Sequence, residues 1–260
     1  MTRRLFLTQL ALVIPCTVAW GQQRRSLTDP LRVGVDYALL DGGLAQRLQK
    51  AFGRDTGVAV QLLAGASTAL LEALERGELD ATLTHAPALE SQLTRQGLAH
   101  DARTVAQTDF VIAGPLRAGV ARGRDAAAVL AQIAQLPVAF LSRNDGSGTH
   151  LAEQALWRAA GVAPAAPWHQ AFDPAGGSLA RQAQARSACV LIDRGSLQAA
   201  GRPSAGWGVL AEGDARLVTR VQWLRTFRVQ HPAAKLFGQW IAGPRGHAIA
   251  AATPGMRAVN

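Results

Sequence analysis

The chain has 260 residues, of which 48% are hydrophobic and 17% are charged, a balance that excludes a disordered protein. The formal net charge is +9, but the basic residues are almost all arginines scattered along the chain, with Lys50 and Lys235 as the two lysines. Because there is one tyrosine and no zinc-finger, basic-zipper or RNP pattern, nucleic acid is excluded as the expected partner.

The first residues are typical of an export signal. Arg3 and Arg4 precede an apolar run over residues 5–19, which is shorter than the roughly 20 residues that span a bilayer. The arginine pair resembles the twin-arginine signal, by which folded proteins cross the bacterial inner membrane. Small residues at the end of the run predict cleavage after Gly21, so we expect a signal peptide over residues 1–21 and a mature protein in the periplasm.

The two cysteines do not form a predicted disulfide. Cys16 lies in the expected signal peptide, which leaves Cys189 as the single thiol of the mature chain. Cys189 stands in the apolar run ACVLI, so we expect a buried and inert thiol.

From residue 31 onward, short β-rich runs alternate with helical runs. The predicted strands cover residues 31–35, 58–63, 79–83, 109–113, 138–141, 189–192 and 221–229. The predicted helices cover residues 43–52, 68–76, 89–96, 125–135, 147–160, 178–186, 233–242 and 244–252. Such alternation is typical of βαβ units and predicts an α/β fold of mainly parallel sheets with helices on both faces.

The alternation restarts after Gly114-Pro115, which predicts two α/β lobes rather than one sheet. We assign residues 30–112 and 216–260 to lobe 1, and residues 113–215 to lobe 2. Ligands of such folds bind outside the carboxyl ends of the strands and between lobes, so the cleft between lobe 1 and lobe 2 is the expected site.

The most informative stretch reads LSRNDGSGTH over residues 141–150. It follows a predicted strand and opens a helix, whose free N–H groups and positive dipole end attract an anion. Hydroxyls, a planar guanidinium and a glycine that permits close backbone approach gather there: Ser142, Arg143, Ser147, Gly148 and Thr149. A plain helix cap would explain Ser147 but not Arg143 beside it, so the stretch predicts an oxyanion site.

This stretch, with THAP over residues 84–87, TDFVIAGP over 108–115, LWRAAG over 156–161, DRG over 193–195 and EGD over 212–214, resembles the periplasmic tungstate-binding proteins. The resemblance implies a type II periplasmic binding protein, in which two lobes close on a tetrahedral oxyanion. It also implies delivery of that oxyanion to an inner-membrane ABC permease and its ATPase. By the same resemblance Ser142, Arg143, Ser147 and Thr149 contact the oxyanion, and Arg194 or its neighbours contribute from lobe 2.

One part of the family pattern is absent. The family opens its first strand with a Thr-Thr-Thr-Ser run, whereas residues 35–38 here read VDYA. Tyr37 keeps at most one hydroxyl, and Asp36 brings a carboxylate that repels a dianion. Three outcomes are open: Asp36 pairs with Arg143, it turns away from the site, or it accepts a hydrogen bond from a protonated ligand such as hydrogenphosphate.

The predicted function is therefore binding of a tetrahedral oxyanion, tungstate or molybdate, by a monomer without cofactor or metal. Phosphate or another anion is the alternative ligand, and a periplasmic ligand sensor with a degenerate site is the alternative role. The run GAS over residues 65–67 offers one further hydroxyl, Ser67, or is simply a capped helix start.

The hypotheses of an enzyme active site and of a metal site have weaker support. Ser147, His150 and Asp145 lie close in sequence, but triad partners normally come from separate loops and no GxSxG pattern surrounds Ser147. The six histidines occur singly, without the spacing of a metal site. His85 and His150 are instead expected to be structural or to hydrogen-bond within the cleft.

Overall fold

The computed structural model describes residues 23–259, so the expected signal peptide lies outside the described residues. The strands are β1 Gln23–Arg24, β2 Leu31–Asp36, β3 Val60–Gly65, β4 Ala81–Thr84, β5 Ala99–Pro115, β6 Phe140–Ser142, β7 His169–Ala171, β8 Val190–Asp193, β9 Trp207–Ala211, β10 Val218–Thr226, β11 Val229–Gln230 and β12 Met256–Arg257. The helices are α1 Tyr37–Asp41, α2 Leu44–Thr56, α3 Ser67–Arg76, α4 Pro87–Arg95, α5 Ala126–Ile133, α6 Gly148–Ala159, α7 Leu179–Ala185, α8 Arg194–Ala199, α9 Pro232–Ile241 and α10 Pro244–Ala251.

Lobe 1 is built on a sheet in which β2 pairs parallel with both β3 and β4. Strand β10 lies antiparallel between β4 and β5, and β12 pairs antiparallel with β5. The apolar side chains of α2 and α9 pack on this sheet, where Leu48, Phe52, Trp223 and Phe237 are fully or almost fully buried. Burial of these large side chains is the main stabilising contribution to the lobe.

Lobe 2 uses the second half of β5, which pairs antiparallel with β8 and β9. Strand β6 pairs parallel with β7 and is joined to the lobe by a bridge between Phe140 and Cys189. Phe140 and Trp157 lie edge to face, with ring centroids 5.0 Å apart, in the buried core. Cys189 is a buried free thiol, as predicted.

The α/β fold class is confirmed, and the structure adds antiparallel pairs that the alternating pattern did not predict. The predicted strand over residues 109–113 is only the end of β5, which is 17 residues long. Its residues up to Asp109 pair with β10, and its residues from Phe110 onward pair with β8, so one strand passes through both lobes. In lobe 1, β10 runs against both β4 and β5, and in lobe 2, β5 runs against β8 and β9.

The carboxyl ends of the parallel strands define where a site can form. In lobe 1, β2 ends at Asp36, β3 at Gly65 and β4 at Thr84, and each is followed closely by a helix. In lobe 2, β6 ends at Ser142 and leads through a short loop into α6. Within residues 23–259, no helix combines the length and apolarity needed to cross a membrane.

Candidate functional site

The loop before α6 is held in shape by its own side chains. Ser147 caps the helix: its Oγ accepts from the backbone N of His150 at 3.3 Å, and its own N donates to Asp145 Oδ1 at 2.9 Å. Ser142 Oγ accepts from the backbone N of Asn144 at 3.2 Å. Ser142 and Ser147 are fully buried, so both hydroxyls stabilise the loop that presents the start of α6.

Arg143 extends from this loop and is almost completely buried, with 8% of its side chain exposed. Its Nε donates to Asp145 Oδ2 at 3.0 Å, and its Nη1 lies 4.0 Å from Asp41 Oδ2. The guanidinium also lies over two aromatic rings, 5.2 Å from the centroid of Tyr37 and 5.4 Å from that of Phe172. These contacts hold the cation in one orientation between the lobes.

Asp36 lies opposite the start of α6, at the end of β2, and is fully buried. Its Oδ2 accepts from Ser67 Oγ at 2.5 Å and from the backbone N of Gly148 at 3.0 Å. Its Oδ1 accepts from the backbone N of Ala38 at 3.1 Å and caps α1. We call these three donors, Ala38 N, Ser67 Oγ and Gly148 N, the donor cluster.

The donor cluster joins the two lobes. Ala38 and Ser67 belong to lobe 1, whereas Gly148 belongs to lobe 2, so the Asp36 carboxylate bridges the cleft. A second bridge runs beside it, from the backbone N of Thr68 to the carbonyl of Gly146 at 3.2 Å. The start of α6 is therefore docked against lobe 1.

His85 packs against the same point. Its Nδ1 lies 3.8 Å from Asp36 Oδ1, and a Cβ added to Gly148 would lie 2.6 Å from its Cδ2. The imidazole is 1% exposed, and neither ring nitrogen has a hydrogen-bond partner among the described residues. A glycine at position 148 is thus required for the close approach of α6 to lobe 1.

The contacts of Asp36 bear on the outcomes that were open for it. Asp36 does not pair with Arg143, whose guanidinium is engaged by Asp145, and it does not turn away from the site. Oδ2 accepts two hydrogen bonds and Oδ1 one, so Oδ1 keeps an acceptor site and a hydrogen bond from a protonated ligand stays an alternative. Asp36 accepts from the Gly148 N–H at the start of α6, the end of a helix that favours an anion.

A small cavity of about 140 Å³ lies between the lobes beside the donor cluster. Arg143 lines it from the loop before α6, Thr149 from the first turn of α6, and Asp41 from lobe 1. Burial raises the pKa of the Asp41 carboxyl, and Arg143 opposes that shift. The remaining walls are formed by Ala38, Ser178, Leu179, Ala180, Arg181, Ile192, Asp193, Ser196, Ala199 and Ala200.

The predicted site residues are thus largely brought together. Asp36, Tyr37, Ser67, Ser142, Arg143, Ser147, Gly148 and Thr149 lie on the two sides of the same cleft. The contacts made by Phe172, Asp41 and Thr68 were not predicted, because they depend on tertiary packing of segments far apart in sequence.

Arg194 is the predicted residue that the structure does not bring to this group. Its guanidinium donates to Asp109 Oδ2 at 2.6 Å and to Glu212 Oε2 at 2.9 Å, and these bonds raise its pKa. It lines a separate cavity of about 800 Å³ together with Arg122, Arg124 and Arg257. Nothing in the sequence indicated that Asp109 would hold this arginine.

Comparisons with known proteins identify the family of this chain. A model of the PBP superfamily domain matches residues 31–193. The tungstate-binding protein TupA of Peptoclostridium acidaminophilum is 27% identical over 218 residues, which cover 80% of this chain and 76% of that protein. A Haloferax volcanii protein, named as a candidate anion-binding protein of an ABC transporter, is 31% identical over 66% of this chain, and the match spans about half, 51%, of its length.

Among solved structures, the tungstate ABC transporter protein from Geobacter sulfurreducens superposes with a TM-score of 0.71 and 29% identity, covering 87% of this chain and 97% of that one. The predicted resemblance to periplasmic tungstate-binding proteins is confirmed by these relatives. The chain belongs to the PBP superfamily.

Proposed function

We propose that this protein is a periplasmic solute-binding protein that binds a tetrahedral oxyanion, tungstate or molybdate, between its two lobes. It then delivers the anion to an ABC permease and its ATPase in the inner membrane. One observation carries the proposal: Arg143, from the loop before α6, and Thr149, from the first turn of α6, line a small cavity between the lobes.

The chemistry of this cavity favours an anion. The positive dipole end of α6, a helix of 12 residues, lies at the cleft, and the buried guanidinium of Arg143 stands beside it. Arginine presents a planar fork of N–H donors that suits an oxyanion. The volume of about 140 Å³ is below the roughly 300–1,000 Å³ of typical pockets for organic ligands, which suits a single ion.

The relatives support transport rather than catalysis, since their names describe tungstate binding or an ABC transporter. The contacts of Ser147 point the same way. Among the described residues, its Oγ accepts from the backbone N of His150, while the His150 Nδ1 accepts from the backbone N of Gly146 at 3.0 Å. The hydroxyl and the imidazole therefore serve the helix cap and do not form a nucleophile–base pair.

Isothermal titration of the mature protein with sodium tungstate, molybdate, sulfate and phosphate tests the proposal. Saturable heat with tungstate or molybdate is the expected result, and Arg143→Ala is the matched variant in which that heat is lost. Saturation by phosphate alone would identify the alternative ligand. The absence of heat with all four anions would overturn the proposed function.

A further inference from the structure

The carboxylate of Asp36 is placed as a bound anion would be. It sits at the N-terminal end of α6, accepts the Gly148 N–H there at 3.0 Å, and accepts the Ser67 hydroxyl at 2.5 Å. The group is fully buried, so the charge is compensated by these hydrogen bonds and not by water. The protein thereby supplies from its own chain an anion at the point where the helix favours one.

His85 gives a second, independent indication of a polar site at this point. Its imidazole is 1% exposed, lies beside the Asp36 carboxylate and packs on the backbone of Gly148. Both of its ring nitrogens lack partners among the described residues. Buried polar groups are nearly always hydrogen-bonded, so this unpartnered imidazole beside the Asp36 carboxylate indicates a polar point of the structure.

We infer that Asp36 is a specificity-determining residue: its carboxylate occupies the donor cluster, competes with a ligand oxyanion for it and holds the lobes together. For the identity of the competing anion, this inference rests on the proposed function. The bridging role of Asp36 does not depend on any ligand, because Asp36 accepts from Ala38 and Ser67 in lobe 1 and from Gly148 in lobe 2.

The consequence is a direct competition between two anions. An oxyanion in the neighbouring cavity reaches Arg143 and Thr149, but the donor cluster is already taken by Asp36. The ligand must either displace the carboxylate or bind beside a like charge within a few ångströms. Asp36 therefore limits the affinity for a dianion. Removal of its charge frees hydrogen-bond donors of the donor cluster and at the same time removes the repulsion between two negative charges.

The first arm of the test measures anion affinity in Asp36→Thr. Threonine is close in size to aspartate and can still cap α1. We expect tungstate to bind Asp36→Thr at least about tenfold more tightly than the unmodified protein, because a like charge is removed and two donors are freed. Asp29→Thr is the matched control: Asp29 is half-exposed, lies before the opposite end of β2, and its removal changes the net charge equally.

The second arm measures lobe closure by small-angle X-ray scattering without added anion. We expect a larger radius of gyration for Asp36→Thr than for the unmodified protein, and contraction of the variant when tungstate is added. Asp36→Asn, which keeps the shape but replaces one acceptor oxygen by an NH2 donor, is expected to open the lobes as well. Thermal unfolding of each variant establishes that the chain is folded.

The two arms separate the inference from the proposed function. If tungstate binds the unmodified protein and Asp36→Thr equally, or if Asp29→Thr gains as much affinity, Asp36 is not the competitor and the inference is overturned. An unchanged radius of gyration in both Asp36 variants overturns the bridging role. If no form of the protein binds any of the four anions, the proposed function fails, while the scattering arm still decides whether Asp36 holds the lobes.

Discussion

Replacement of Arg143 by alanine removes the buried cation that lines the cavity between the lobes. An arginine that grips an oxyanion with two N–H groups makes two charge-assisted hydrogen bonds, each contributing about 1.5–3 kcal/mol. Their loss corresponds to an affinity decrease of roughly 10²- to 10⁴-fold. Isothermal titration with tungstate, in Asp36→Thr if binding to the unmodified protein is weak, measures this change.

Two controls define the result for Arg143. Arg181 lines the same cavity but is exposed, so solvent screens its charge and Arg181→Ala is expected to change affinity less than about threefold. Loss of the contacts of Arg143 with Tyr37 and Phe172 removes about 0.5–1 kcal/mol each, which lowers the melting temperature but leaves the protein folded. An Arg143→Ala affinity within threefold of the parent protein, or an equal loss in Arg181→Ala, would refute the assignment of Arg143 to the ligand.

Three further predictions concern stability and reactivity. Gly148→Ala places a Cβ 2.6 Å from His85 and should lower the free energy of unfolding, measured by urea titration, by about 1–3 kcal/mol. Gly53→Ala is the control: its Cβ would meet its first neighbour at 3.6 Å, so this change should be neutral or stabilising. Ser147→Ala removes the cap of α6 and should cost about 1 kcal/mol by the same measurement; unchanged stability would contradict the capping role. Burial raises the pKa of the Cys189 thiol to about 12, so at pH 8 iodoacetamide should label this thiol only after unfolding. The free energy of unfolding should fall as the pH rises above the ordinary thiol pKa of 9.0, because the thiol then loses its proton in the unfolded state but not in the folded state. Labelling of the native protein at the unfolded rate would contradict that burial.

The elements with a clear hydrophobic period were predictable from sequence. Strands β2 and β3 and helices α2 and α3 lie within a few residues of their predicted ranges, because each apolar run or stripe is short, regular and bounded by glycine or serine. The short helix α1 between β2 and α2 was not predicted. The first half of β5 was not predicted, since residues 99–108 alternate between small, polar and charged side chains. Strand β7, with three residues, is too short to give a pattern.

The candidate site was likewise predictable from sequence only in part. The start of α6 was predictable because its hydroxyls, arginine and glycines are contiguous, and a helix start has known chemistry. The hydrogen bond from Gly148 N to Asp36 joins residues 112 positions apart, so only the packing of the lobes reveals it. The aromatic rings over Arg143 likewise come from both lobes: Tyr37 was predicted at the site as a hydroxyl donor, but its ring contact and that of Phe172 were not.

The position of β10 determines when lobe 1 can be completed. This strand lies in the middle of the lobe 1 sheet, between β4 and β5, yet it is formed by residues 218–226, after all of lobe 2. During synthesis β4 and β5 therefore carry unpaired edges until the last quarter of the chain has emerged from the ribosome, and unpaired edges promote aggregation. The sheet of lobe 1 is therefore complete only once β10 has paired with both β4 and β5, after the residues of lobe 2 have been made.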